Sequence, residues 1–94
     1  MDIFDVVITK QAKRDLIKIP LYIVKKLQAW IENIGYSGLR EARKIPGYHD
    51  EPLKGQRTGE RSIRLSKAYR AIYVISHSGS IEIIQIMEIN KHDY

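Results

Sequence analysis

The sequence predicts a single α+β domain spanning residues 1–94, a small and mostly antiparallel β-sheet with two or three N-terminal helices packed on one face. Two observations carry this expectation. Apolar residues up to Gly35 recur at three- and four-residue spacing, the period of a helix, whereas from Pro52 onward they recur at every second position, the period of a strand. Helices gathered before strands, rather than alternating with them, specify α+β. A chain of 94 residues with 44% hydrophobic content has enough apolar surface for one core and little to spare.

Each element has its own justification. Ile3 to Ile8 (IFDVVI) is a short β-prone run, and Thr9 after it is a helix N-cap residue. From Lys10 to Lys18, Ala12, Leu16 and Ile17 fall on one side and the cations elsewhere, as in a short amphipathic helix. Pro20 ends that helix and opens a second, in which Leu21, Val24, Leu27, Trp30, Ile31 and Ile34 form the apolar stripe and Gly35 supplies the stop. Ser37 to Ile45 allows one or two further helical turns before Pro46-Gly47 and an exposed loop to Glu51, where His49 reads as a surface histidine without a metal-spacing partner.

A short strand around Leu53-Lys54 follows, then a turn from Gly55 to Gly59, with strands near Glu60–Leu65 and Ala68–Ser76. His77 to Ser80 fits a hairpin turn. In the last strand, Ile81 to Asn90, alternation sets Ile81, Ile83, Gln85, Met87 and Ile89 against Glu82, Ile84, Ile86 and Glu88. Isoleucines on both sides indicate a central strand with both faces partly covered.

Charge is distributed unevenly. Pro52 to Tyr73 holds Lys54, Arg57, Arg61, Arg64, Lys67 and Arg70 against one acid, Glu60, a surplus of five that equals the formal net charge of +5 for the whole chain. The other ten cations and ten acids cancel. Cations spaced along strands suit a polyanion, and the stretch reads as a nucleic-acid or phosphate-facing site. The chain has no cysteine, hence no disulfide frame and no thiolate nucleophile, and no apolar run near the roughly 20 residues that span a bilayer. The acidic start MDIFDVV lacks the features of a signal peptide, so a soluble cytoplasmic protein without membrane contact is expected.

No P-loop, dinucleotide-binding turn or metal-spaced His/Asp/Glu cluster is visible, so neither a metal nor a cofactor is expected. Lysines, arginines, histidines and tyrosines can still cleave RNA. The ribose 2′-hydroxyl attacks its own phosphate, and the protein has only to remove one proton, supply another and stabilise the phosphorane charge. Histidine suits the proton transfer, arginine and lysine the phosphate oxygens, and tyrosine a splayed base.

The pattern PLKGxRxGxxSIR, the YRAIY strand, the terminal hydrophobic strand and the closing KHDY resemble the RelE/HigB-like toxins of bacterial type II toxin–antitoxin systems, in the RelE/ParE superfamily. The resemblance covers most of the chain and is most specific at Leu53-Lys54-Gly55, at Tyr69-Arg70-x-Ile72 and in the tail. It implies a RelE-like fold and a ribosome-dependent mRNA endonuclease, partnered by a cognate antitoxin and acting on ribosome and mRNA. DNA would be met only indirectly, through the toxin–antitoxin complex at its operator. By the same resemblance Lys54 contacts the scissile phosphate, Arg70 stabilises the transition state, His92 transfers a proton and Tyr94 stacks or orients. Arg57, Arg61, Arg64 and Lys67 complete the RNA-binding surface. One departure is Ser66, where HigB-like members often carry arginine; Arg64, of the same strand parity, is the substitute.

Two other functions stay open. The same superfamily contains ParE-like toxins that bind and inhibit DNA gyrase without nuclease activity, and an inactive relative would serve only as a corepressor. A +5 surface also attracts an acidic antitoxin segment, expected to cover some of Lys54, Arg61, Arg64 and Arg70.

Overall fold

The computed structural model describes residues 2–91. Strand β1 (Val6–Ile8) leads into helix α1 (Lys10–Ile17) and the long helix α2 (Leu21–Ala42). A 3₁₀ turn at Pro46–Tyr48 precedes β2 (Glu51–Pro52), and a second at Gly55–Arg57 precedes β3 (Arg61–Arg64), β4 (Tyr69–Ser78) and β5 (Ile81–Lys91). The five strands form one sheet in the order β1-β5-β4-β3-β2. All neighbours are antiparallel except β1 and β5; β5 is an interior strand with a partner on each side, in keeping with isoleucines on both its faces. No described helix is long and apolar enough to cross a membrane.

Thr9 caps α1 as anticipated, its hydroxyl accepting the Ala12 amide at 3.2 Å while donating to Ile86 O at 2.9 Å. The stripe of α1 is Ala12 and Leu16, continued by Ile19 beyond the helix. Ile17 is 84% exposed, because one residue past Leu16 is a turn of about 100° away from the core. In α2 the buried residues Ile23, Leu27, Trp30 and Ile34 keep the four-three-four spacing, with Ile23 taking the place assigned to Leu21.

Gly35 does not stop α2. The break falls at Gly38, whose φ of 82° and ψ of 165° lie where essentially only glycine is comfortable. Its missing side chain also leaves room for Asp2, whose carboxylate accepts the Arg40 amide at 3.0 Å and its neighbour Ile3's at 2.8 Å, while the Leu39 amide donates to Ile3 O. The chain's start thereby caps the last turn of α2.

Both helices cover one face of the sheet. Ile63, Ala71, Tyr73, Ile84, Ile86 and Ile89 point toward Ile23, Leu27, Trp30 and Ile34, and Trp30 meets Tyr73 at a ring separation of 5.3 Å. Strict alternation in β5 fails at one place. A bulge between the Ile72–Glu88 and Tyr73–Ile86 pairings leaves Met87 unmatched, which returns Ile89 to the core face with Ile84 and Ile86 and sends Glu88 to the opposite face. The Ile89 amide there donates to Asp15 Oδ2 at 2.9 Å, so α1 supplies a hydrogen bond beside the bulge. Asp15→Ala strands that part-buried donor and is expected to cost about 1–3 kcal/mol in chemical denaturation. A change within about 0.5 kcal/mol, typical of surface substitutions, would show the bulge is held without it.

Candidate nucleic-acid interface

The sheet face away from the helices carries the cations, and strand register determines which of them meet. Two rows cross it. One runs Glu51, Ser62, Ile72, Glu88 from β2 to β5; the next runs Arg64, Arg70, Asn90 from β3 to β5. Cross-strand partners share a face, so Arg64 and Arg70 stand directly opposite each other, with Cα atoms about 5 Å apart. Like charges in that position destabilise a sheet. Neither arginine pairs with Glu82 or Glu88; Arg70 Nη1 lies 3.4 Å from Glu51 Oε1, and among the described residues Arg64 has no acidic partner.

The turn after β2 bounds this face. Lys54 precedes Gly55–Arg57 and is exposed. Arg57 pairs with Glu60 at 2.8 Å and with Glu88, whose carboxylate also accepts the Asn90 amide group at 3.2 Å. The hydrogen bonds it donates to Glu88 and then to Glu60 hold the Arg57 guanidinium above its ordinary value. Ile72 and Ser62 are buried on this face although no helix covers it.

Arg61 stands apart from the other cations. It has the parity of Ile63, on the helix side, where its Nε donates to Asp50 Oδ1 at 2.7 Å. Lys67 is exposed in the β3–β4 turn, and the Ser66 hydroxyl builds that turn by accepting the amides of Ala68 and Tyr69. Arg64, and not Ser66, therefore lies in line with Arg70. His92 and Tyr94 lie outside the described residues. Among those residues no group of three or more His, Cys, Asp or Glu stands in a position to hold a metal ion.

This two-layer architecture has counterparts among solved structures. The YoeB/ParE toxin from Agrobacterium tumefaciens matches with a TM-score of 0.66 and 25% identity, over 95% of this chain and 99% of that one. The chain has the RelE/ParE-like toxin fold. YafQ from E. coli shares the fold at a TM-score of 0.72 with 16% identity, over 94% of this chain and 92% of its own. So does the toxin–antitoxin complex RelBE2 from Mycobacterium tuberculosis, at 0.57 and 23%, over 94% and 96%. No family model matches the chain, and no curated protein does.

Within this toxin fold two features escape a reading of charge along the chain. Glu51 is the first. It lies one residue outside the basic stretch, yet β2 places its exposed carboxylate on the cationic face beside Arg70. Glu88 is engaged by Arg57 and Asn90, so Glu51 is the less encumbered acid there. The strand pairing carries the signal, since Glu51 stands opposite Ser62 and so shares its face. The second is a further basic surface on the helical hairpin. Lys10, Lys13, Arg14, Lys18, Lys25 and Lys26 are all exposed, and none pairs with an acid among the described residues. Asp15, the single acid between them, accepts from Gln11 and Ile89. Ile17, Leu21 and Tyr22 are exposed on the same hairpin.

Proposed function

We propose that the chain is the toxin of a type II toxin–antitoxin system and cleaves mRNA on the ribosome by metal-independent attack of a 2′-hydroxyl. One observation carries this reading: Arg64 directly opposite Arg70 on a sheet face without helices, with the Glu51 carboxylate beside Arg70. An arrangement that costs stability unoccupied becomes favourable when a phosphate lies between the two guanidinium groups.

The roles follow from chemistry. Glu51 takes the 2′-hydroxyl proton as the oxygen attacks phosphorus. Arg70 and Arg64 bind the equatorial phosphorane oxygens, and Lys54, on the neighbouring turn, adds a third positive charge. The P–O5′ bond breaks, and His92 supplies the proton to the leaving oxygen while Tyr94 stacks on a base. The products are a 2′,3′-cyclic phosphate and a 5′-hydroxyl. Arg57 and Lys67 flank this centre, and Arg61 serves the fold. A cognate antitoxin is the expected protein partner, in keeping with the RelBE2 complex.

The helical-hairpin cations fit a second function, binding the ribosomal RNA that surrounds the mRNA. Lys13→Ala with Lys25→Ala should lower the slope of log affinity against log salt by up to about 2. The single-turnover rate at saturating ribosomes should be unchanged. An unchanged salt slope would remove the hairpin from the ribosome-facing surface.

Purified protein with intact mRNA-programmed ribosomes, in the magnesium buffer that keeps them assembled, tests the whole reading. Discrete cuts with 2′,3′-cyclic phosphate ends, lost in Glu51→Gln, are expected. Intact mRNA together with inhibited gyrase supercoiling would overturn it in favour of a ParE-like toxin.

A further inference from the structure

The strand that carries Glu51, and leads to Lys54, is the least secured part of the sheet. β2 has two residues, both exposed, and one is a proline that donates no hydrogen bond. Beyond its pairing with Ser62 and Arg61, the Leu53 amide donating to Glu60 O at 2.8 Å is its main continuation. So short an edge does little to determine where Glu51 stands relative to Arg70.

The residue just before β2 is anchored in a different way. The Asp50 side chain has no exposed surface. Its Oδ1 accepts Arg61 Nε at 2.7 Å and its Oδ2 accepts the Tyr73 hydroxyl at 2.6 Å. Arg61 and Tyr73 are themselves cross-strand partners on β3 and β4, and Tyr73 is fully buried against Trp30. Burial, followed by the Asp50 hydrogen bond and charge, raises Tyr73 far above an ordinary phenol, so its hydroxyl remains a donor. Burial opposes the Arg61 charge, but the Asp50 hydrogen bond and charge, with Tyr73, outweigh it and raise the guanidinium above its usual value. Stability alone is a weak reason for such a network, because well-packed apolar residues often replace a buried ion pair without loss.

We infer that the Asp50–Arg61–Tyr73 network positions the catalytic edge, locking Asp50 inward so that Glu51, on the next pleat, faces Arg70 and Lys54 follows at a set height. The three residues act through Glu51 and Lys54 and do not touch RNA themselves. This inference rests on the ribonuclease reading for its functional consequence, but the anchoring of β2 is measurable without it.

The test combines amide hydrogen exchange, read by NMR, with single-turnover cleavage on programmed ribosomes. In Tyr73→Phe and Asp50→Ala, the Leu53 amide should exchange at least about tenfold faster relative to that of Ala71 in β4. The cleavage rate constant should fall by about tenfold to a hundredfold, as for a displaced catalytic group. The half-saturating ribosome concentration should stay within about twofold. Asp50→Asn, which keeps an acceptor for Arg61 but loses the charge and the second acceptor that Tyr73 uses, should fall between wild type and Asp50→Ala in both. Ile63→Val, a core change in β3, should lower the melting temperature without altering the rate at a temperature where the protein is folded. Unchanged Leu53 exchange in Tyr73→Phe would overturn the network, as would a loss confined to half-saturation or one shared by Ile63→Val. If the wild-type protein cuts no RNA, the ribonuclease reading has failed, and the exchange arm still decides whether Asp50 anchors β2.

Discussion

Arg70→Ala is expected to slow single-turnover cleavage by about a hundredfold to a thousandfold, the usual cost of removing a group that stabilises transition-state charge. The melting temperature should stay level or rise, and that pairing of outcomes is the informative part. Arg70 stands opposite Arg64, and removing one of two facing like charges relieves about 0.2–1 kcal/mol. What it gives up is a 3.4 Å contact to Glu51, whose side chain is more than half exposed, and such pairs contribute at most about 1 kcal/mol after solvent screening. Arg70→Lys should recover little, because an ammonium cannot bind two phosphate oxygens as a planar fork does. Cleavage assays beside thermal melts decide the matter. Retained activity with a large drop in melting temperature would make Arg70 a structural strut and leave the anion site unsupported.

Gly38→Ala should be among the most destabilising changes of one methyl group in the chain, and Gly35→Ala should have the opposite sign. At Gly38 the backbone sits at φ 82° and ψ 165°, which costs a residue with a side chain about 1–3 kcal/mol. The new Cβ would also lie 2.2 Å from Asp2 Oδ2, so Asp2 must leave the amides that it caps. For a domain of this size the melting temperature should fall by about 10 °C. Gly35 lies in ordinary helix with nothing within 4 Å of the added carbon, so alanine there should add about 0.5–1 kcal/mol. The Arg40 amide first, then Ile3's, hold Asp2 below its ordinary value of 3.8 although partial desolvation opposes them. A depressed carboxylate stabilises the fold fully above its unfolded value and loses that contribution as pH falls through the folded one. Wild type should therefore lose more stability than Asp2→Asn below about pH 4, the ordinary carboxylate range. Equal acid sensitivity in the two proteins would separate Asp2 from the helix cap.

Those two glycines show where the sequence was legible and where it was not. Gly35 follows the last residue of an apolar stripe and has every local mark of a helix stop. The break falls three residues on, at Gly38, where an aspartate from the other end of the chain fills the space a side chain would take. The strands were more readable, because alternation in β3 and β4 assigns Ile63, Leu65, Ala71 and Tyr73 to the core with no knowledge of partners. It also picked Arg64 by its parity with Ser66, and the β3–β4 register then sets Arg64 opposite Arg70. Alternation misled at Met87, since a bulge depends on what lies opposite. Charge counting misled in a related way. Ten cations cancel ten acids in number, but six of those cations gather on the helical hairpin, and the neutralising acids are mostly elsewhere. Arg61 looked like its neighbours by charge, and only its parity with Ile63 told it apart.

The bulge in β5 has a consequence for how foldedness and activity are joined. Every strand of the central sheet writes two messages in alternate letters, one for the core and one for the cationic face. A one-residue slip of β4 would exchange them, burying Arg70 while turning Tyr69, Ala71 and Tyr73 to water. Met87 makes β5 a key with a single notch, since only one alignment against Ile72 and Tyr73 places Ile84, Ile86 and Ile89 together inside. A misaligned chain is therefore both unstable and without its arginine pair.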